Sequence, residues 1–257
     1  MHQELFTFRL FDHQFVVYSY ATCIVIGALI AALYTKHNCR KSLGFEISNN
    51  FFYLLFLASF VGGKVFYYLE KPLYFLNNPN QMIDNFSGGF VFYGSFLFAI
   101  PFVIIYFKKI KQPVLSILDI LAITTLIVHA IGRIGCFFGG CCYGRPTNNF
   151  LGIVFKNSNN IAVYPIQLFE ALLLLIIMTG LLIYKKHQKF SGQLFLLYLT
   201  LYAVSRIILE NFRGDARVYL FNGLLSQAQS IGLLMITISI ITFLTLTKQK
   251  SLKKLNP

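Results

Sequence analysis

Charge is scarce in this sequence of 257 residues: Asp, Glu, Lys and Arg together make up 12% of it, against 56% for the apolar class. A water-soluble domain needs a charged surface, so this scarcity excludes one, and the mean hydropathy of +0.65 places the chain in a membrane. Also missing is any polar stretch long enough to fold alone. The longest, residues 134–165, is too short for its own core, so residues 1–257 read as a single membrane domain. The sequence has no internal repeat, no low-complexity tract and none of the period-2 alternation of a transmembrane barrel. The first apolar run lacks the flanks of a signal peptide. Arg9 and Asp12 precede it rather than a basic cluster, and no small-residue cleavage pattern follows Ala31, so it is expected to be retained.

Long apolar runs are what remains. Crossing about 30 Å of hydrocarbon takes roughly 20 apolar residues in a helix. Seven runs qualify, near 16–33, 51–69, 90–107, 114–133, 166–184, 194–209 and 224–246. Backbone polar groups in lipid must pair within their own segment, so the predicted fold is all-α, a polytopic membrane protein with seven transmembrane helices.

Acidic residues number only 9 against 22 basic ones, a net charge of +13. The positions of the bases argue against nucleic acid as a partner. Lys36, Arg40 and Lys41 follow the first span; Lys108, Lys109 and Lys111 the third; Lys185, Lys186 and Lys189 the fifth; and Lys248, Lys250, Lys253 and Lys254 lie in the tail. The opposite loops mix Arg9, Lys71, Arg145, Lys156, Arg213 and Arg217 with acids. By the positive-inside rule the N-terminus is outside and the C-terminus cytoplasmic. Residues 70–89 and 134–165 then form the two long outward-facing loops, where candidate chemistry is expected.

Ionisable residues inside spans are costly to bury, and each one is a functional candidate, with snorkelling at a helix end as the plainer alternative. The fourth span holds Asp119, His129 and Arg133. His129 and Arg133 are four residues apart, so they share a face about 40° wide. A histidine beside a guanidinium can serve as a base while the guanidinium holds a phosphate; the alternative is a histidine bonded within the bundle and an arginine at headgroup level. The sixth span repeats the spacing in Arg206 and Glu210, with Arg213 a turn beyond if the helix continues. A pair within one helix is the plain reading. Arginines converging from two spans would instead form a fork for an anionic lipid headgroup.

Five cysteines make no disulfide framework of the small secreted kind. Cys23 and Cys39 fit apolar packing. Cys136, Cys141 and Cys142 cluster in the segment GRIGCFFGGCCYGRPT, which carries Gly132, Gly135, Gly139, Gly140 and Gly144 within thirteen positions. Such glycine density permits positive φ and close backbone approach to a ligand. The Cys-x4-Cys-Cys spacing lacks the C-x-x-C pairing of structural zinc sites, and His129 is the nearest nitrogen donor, so no metal is expected. A disulfide from Cys136 to one of the later pair, or plain packing, remains open.

At these residues the chain resembles the prolipoprotein diacylglyceryl transferase family along nearly its whole length. Tyr18–Tyr20 is similar to the family's Tyr-Gly motif, and Gly62, Gly63 and Lys64 followed by Val-Phe-Tyr to its Gly-x-Arg-x-x-Tyr stretch. GGFVFYGSF from Gly88 resembles Gly-Gly-x-x-x-His-Gly; GRIGCF resembles GRxGNF; YPIQLFEALL resembles HPxQLYE; and RIILENFR resembles the motif with two arginines and a glutamate. The resemblance implies seven spans with an outside N-terminus, a bacterial cytoplasmic membrane location, and transfer of the diacylglyceryl group of phosphatidylglycerol to a prolipoprotein lipobox cysteine. It implies no cofactor. Arg133, Arg206, Glu210 and Arg213 become headgroup and catalytic residues, supported by Gly144 and Gln167, with Tyr18, Gly88, Gly89, Gly94, Gly135 and Cys136 on the substrate side.

Four positions depart from the pattern: Tyr93 stands for a His, Cys136 for the signature Asn, Cys141 for a Glu, and Tyr164 for the His before Pro. The proposed base is lost with the last of these, leaving His129 or Glu210 to activate the thiol while Tyr93 donates a hydrogen bond. Rival readings are a paralogue with another acceptor, a membrane thiol–disulfide protein built on the three clustered cysteines, and a non-catalytic lipid-binding protein or transporter. The broken spans in two related halves that mark many transporters are absent from the sequence.

Overall fold

The computed structural model describes residues 4–10, 13–69, 72–84, 89, 91–214, 219–220 and 224–255. The chain opens with an antiparallel hairpin of β1 (Glu4–Leu10) and β2 (His13–Tyr18), in which Thr7 faces Val16. Helix α1 (Ser19–Leu43) follows directly, so three residues expected in the first span belong to a strand. Next come α2 (Asn49–Leu69), the short α3 (Pro72–Asn77) and α4 (Asn80–Asp84), α5 (Phe92–Lys109) and α6 (Val114–Phe138). Two-residue strands β3 (Ile153–Val154) and β4 (Ala162–Val163) lead to α7 (Ile166–Tyr184), which a short 3-10 turn continues to His187. Helix α8 (Gln193–Glu210), the strands β5 (Tyr219–Leu220) and β6 (Leu225–Ser226), and α9 (Gln227–Leu255) complete the described chain.

Among the described residues, six helices are long and apolar enough to cross a membrane: Ser19–Leu43, Asn49–Leu69, Val114–Phe138, Ile166–His187, Gln193–Glu210 and Gln227–Lys248. The third predicted crossing coincides with α5, 18 residues long with Pro101 inside, which is not among those six. Side chains such as Leu33, Phe56, Ile105 and Ile183 stand exposed on their helices, the arrangement expected where lipid rather than water is the solvent.

The chain divides into two compact units, residues 1–38 with 118–257, and residues 39–117. In the first, Ala122, Ile123, Leu126 and Ala130 of α6 pack with Leu174, Ile177 and Leu181 of α7 and Leu194 and Tyr198 of α8. Polar side chains fasten the neighbouring helices. The hydroxyls of Thr35 on α1 and Thr124 on α6 lie 2.7 Å apart, and Ser239 on α9 donates to the Leu196 carbonyl at 2.8 Å. Asp119 of α6 reaches the start of α8, where it accepts hydrogen bonds from the Gly192 and Phe195 amides at 2.7 and 2.9 Å and from the Gln188 side chain. Those amides have no partner inside their own helix, so Asp119 acts as a cap supplied from a different helix.

In the second unit α2 and α5 cross closely. A Cβ on Gly62 would sit 2.4 Å from the Gly94 carbonyl oxygen, and one on Gly94 would sit 2.4 Å from that of Gly62. Only hydrogen fits at either position, as at small-residue crossings between membrane helices. Lys64 is buried on α2 and donates to the Gly89 carbonyl at 2.9 Å.

Candidate functional site

The site grows from one end of the first unit, where α6 and α8 finish and α7 begins. Helix α6 does not stop at Arg133 but runs to Phe138, about 37 Å in all at 1.5 Å per residue. Its last turns carry His129, Arg133 and Cys136. Pro165 then precedes α7, whose second turn carries Glu170, only 2% exposed. A carboxylate buried this deeply requires partners, and cations supply them. Its Oε1 lies 3.0 Å from an Arg133 guanidinium nitrogen and 3.3 Å from His129 Nε2, while Oε2 lies 3.7 Å from Arg213 Nη1. His129 also sets its ring edge-on to Tyr202, with centroids 5.4 Å apart.

A second pair stands alongside. Arg206 Nη2 and Glu210 Oε2 are 3.3 Å apart on α8, and both side chains are largely buried. Arg206, Tyr202, Ser205 and Glu170 line one small cavity between α7 and α8. Among the described residues, three guanidinium groups thus stand with two carboxylates, a set of donors suited to an anion. Arg133 Nε is buried with no hydrogen-bond partner among the described residues.

The glycine-rich segment is built to place Arg213. Gly144 forms an antiparallel bridge with Arg213, the Arg145 amide donates to the Phe212 carbonyl at 2.9 Å, and the Gly144 amide to the Tyr164 carbonyl at 2.8 Å. A Cβ on Gly144 would fall 2.6 Å from the Phe212 oxygen and 2.7 Å from Ile166 Cγ1, so the close approach depends on glycine. Gln167, fully buried on α7, donates from Nε2 to the Cys141 carbonyl at 2.6 Å and so ties the cysteine segment to the same helix as Glu170. Ser158 closes the following turn through the Phe155 amide and the Ile161 carbonyl. The Cys142 thiol is held below its usual range, first by hydrogen bonds from the Cys136 and Cys141 thiols and then by Arg133 and Arg213.

Of the residues predicted from the sequence, the structure brings together His129, Arg133, Arg206, Glu210, Arg213, Gly144, Gln167 and Cys136. Gly135 serves the approach of α6 to α1, since a Cβ there would lie 2.8 Å from Cys23 Cβ. Tyr18 ends β2 with an exposed ring, and Tyr20, two residues on, is the tyrosine packed beside Gly135. Gly89, Tyr93 and Gly94 belong to the second unit; Gly88 and the Tyr93 side chain lie outside the described residues. The sequence reasoning missed Glu170. It is the one acid inside the fifth apolar run, within the quoted YPIQLFEALL motif, and the cost of burying an ionisable residue in a span marks it as it marks Asp119 and Glu210.

These features define a class: a polytopic membrane protein with arginines gathered around buried carboxylates at one end of its helices. A family model described as prolipoprotein diacylglyceryl transferase matches residues 7–245. The chain belongs to the prolipoprotein diacylglyceryl transferase family, and is a membrane transferase of that general type. It is 32% identical over 232 residues to a phosphatidylglycerol–prolipoprotein diacylglyceryl transferase of Clostridium tetani (strain Massachusetts / E88), covering 88% of this chain and 92% of the relative. A protein with the same description from Rickettsia canadensis (strain McKiel) is 31% identical, over 77% of this chain and 80% of the relative. One described as phosphatidylglycerol–prolipoprotein diacylglyceryl transferase 2, from Clostridium perfringens (strain 13 / Type A), is 28% identical over 84% and 86%.

Proposed function

We propose that this chain transfers the diacylglyceryl group of phosphatidylglycerol to the thiol of a prolipoprotein lipobox cysteine in the bacterial cytoplasmic membrane. The observation that carries this reading is the arginine cluster around Glu170 and Glu210, in a chain of this family. The acceptor thiol gives its proton to His129 or Glu210, and the thiolate attacks the glycerol carbon that bears the phosphate. A C–S bond forms, the C–O bond breaks, and glycerol phosphate leaves with the electron pair. Arg133 and Arg206 stabilise the charge on the departing phosphate, aided by Arg213, while Glu170 holds Arg133 and Arg213 in register. Tyr93 donates a hydrogen bond. Tyr18, Gly88, Gly89, Gly94, Gly135, Cys136, Gly144 and Gln167 shape the substrate side, and no cofactor takes part.

The same reading counts α5 as a seventh crossing, with the N-terminus outside and the C-terminus cytoplasmic. A second reading, in which a paralogue uses another acceptor, draws support from the cysteines at positions 136 and 141 and the tyrosine at 93. The test is transfer of labelled lipid from phosphatidylglycerol to a lipobox peptide in membranes containing Arg133→Ala or Arg206→Ala protein. Transfer is expected to fall by on the order of 100-fold or more in each. Undiminished transfer in either would overturn the role given to that residue, and a wild-type chain inactive on the lipobox peptide would favour the second reading.

A further inference from the structure

Beside the arginine cluster stand three thiols whose metal-binding chemistry the transfer step does not use, although Cys136 also borders the substrate side. The sulfur atoms of Cys136, Cys141 and Cys142 all lie within 4.8 Å of one another. In the sequence the gap between Cys136 and Cys141 argues against a metal site, because it lacks the usual two-residue spacing. The fold closes that gap. Helix α6 ends just after Cys136; the Gly139 amide returns to the Gly135 carbonyl at 2.9 Å, Gly140 turns at φ +64°, and the Cys141 amide donates to the Cys136 carbonyl at 3.1 Å. Cys142 then adopts φ +60°, a conformation uncommon for a residue with a side chain, and this turn brings its sulfur to the other two.

We propose that Cys136, Cys141 and Cys142 form a three-thiolate site for one thiophilic d10 cation, zinc(II) or copper(I). Metal–sulfur bonds of about 2.3 Å put the sulfurs of such a site about 3.8–4.0 Å apart, so the widest pair need close by only about 1 Å. An all-sulfur donor set selects soft ions and rejects magnesium and calcium. His129 does not complete the set, because its Nε2 is engaged with Glu170, two turns back along α6. Three thiolates on a monocation or dication leave a surplus of negative charge, and Arg133 and Arg213 lie close enough to Cys142 to offset it. Cys136 is buried and Cys141 exposed, so an ion enters from the loop side, and zinc keeps a fourth position for water. Binding exchanges up to three thiol protons for the ion and needs no oxidant. The site stands whether or not the chain transfers diacylglycerol.

The test uses the full chain, purified in detergent and reduced, then loaded anaerobically with zinc(II) in one arm and copper(I) in the other and freed of excess ion. Retained metal is counted by elemental analysis, and alkylated cysteines by intact mass. One ion per chain is expected in at least one arm, with three cysteines shielded together. Cys142→Ser and, separately, Cys141→Ser are each expected to lower retention at least tenfold, while Cys23→Ser retains its ion. Cys141 is exposed, so its replacement leaves the fold testable even if the Cys142 variant does not fold. Retention of neither ion by the reduced wild-type chain overturns the proposal, as does full retention by Cys141→Ser or a Cys136 disulfide that resists reduction.

Discussion

Two buried carboxylates lie on neighbouring helices of the same unit and serve different ends. Asp119 accepts from two backbone amides and one side-chain amide, all neutral donors at the start of α8. Glu170 is met by two guanidinium groups and an imidazole, contributed by α6 and by the segment after α8. The first arrangement completes a helix end and leaves little for a ligand to exploit. The second gathers cations around one carboxylate, and with Arg206 and Glu210 it sets three positive groups against two negative ones among the described residues. Burial alone therefore does not mark function; the sign and number of the partners do.

The comparison can be broken at either carboxylate. Glu170→Gln keeps the shape but leaves Arg133 and Arg213 facing a neutral group. Loss of one partner from a buried ion pair costs about 3–5 kcal/mol, and the displaced arginines should lower transfer on the order of 100-fold. Thermal unfolding in detergent and lipid-transfer assays check the two parts. Gly144→Ala attacks the same end from the backbone: its Cβ would meet the Phe212 oxygen, costing about 1–3 kcal/mol and shifting Arg213. Transfer should fall further than the stability loss explains, measured as rate per folded molecule. Asp119→Ala should give the smallest effect, about 1 kcal/mol from a lost cap, with the rate per folded molecule unchanged. If Asp119→Ala abolishes transfer in folded protein while Glu170→Gln does not, the division between the two carboxylates is wrong.

Much of this was legible from composition and spacing. Long apolar runs locate the helices because bilayer thickness leaves few alternatives, and the four-residue spacing puts His129 with Arg133, and Arg206 with Glu210, on shared faces. What the sequence concealed is pairing between elements. Glu170 looks like one acid in a motif until folding sets α6 and the end of α8 against it. Gly135 falls in the expected loop 134–165, yet α6 continues through it to Phe138, because Gly135 lets α1 approach at Cys23. The β1–β2 hairpin merges with the first apolar run, since strand and helix use the same apolar residues there. The cysteine spacing hides proximity for a related reason: a helix end followed by a left-handed turn brings together sulfurs that a regular strand or loop would separate.

Helix α6 also works as a ruler. Asp119 and Arg133 are fourteen residues apart, about 21 Å along the axis, and each is registered against a different partner. Substitutions at the apolar positions between them change packing alone, but a single inserted residue would turn Arg133 by about 100° relative to Asp119. The cap on α8 would then hold one end of the helix in place while the arginine swung away from Glu170. For this protein, the length of α6 between those two residues is thus as much a part of the site as the side chains themselves.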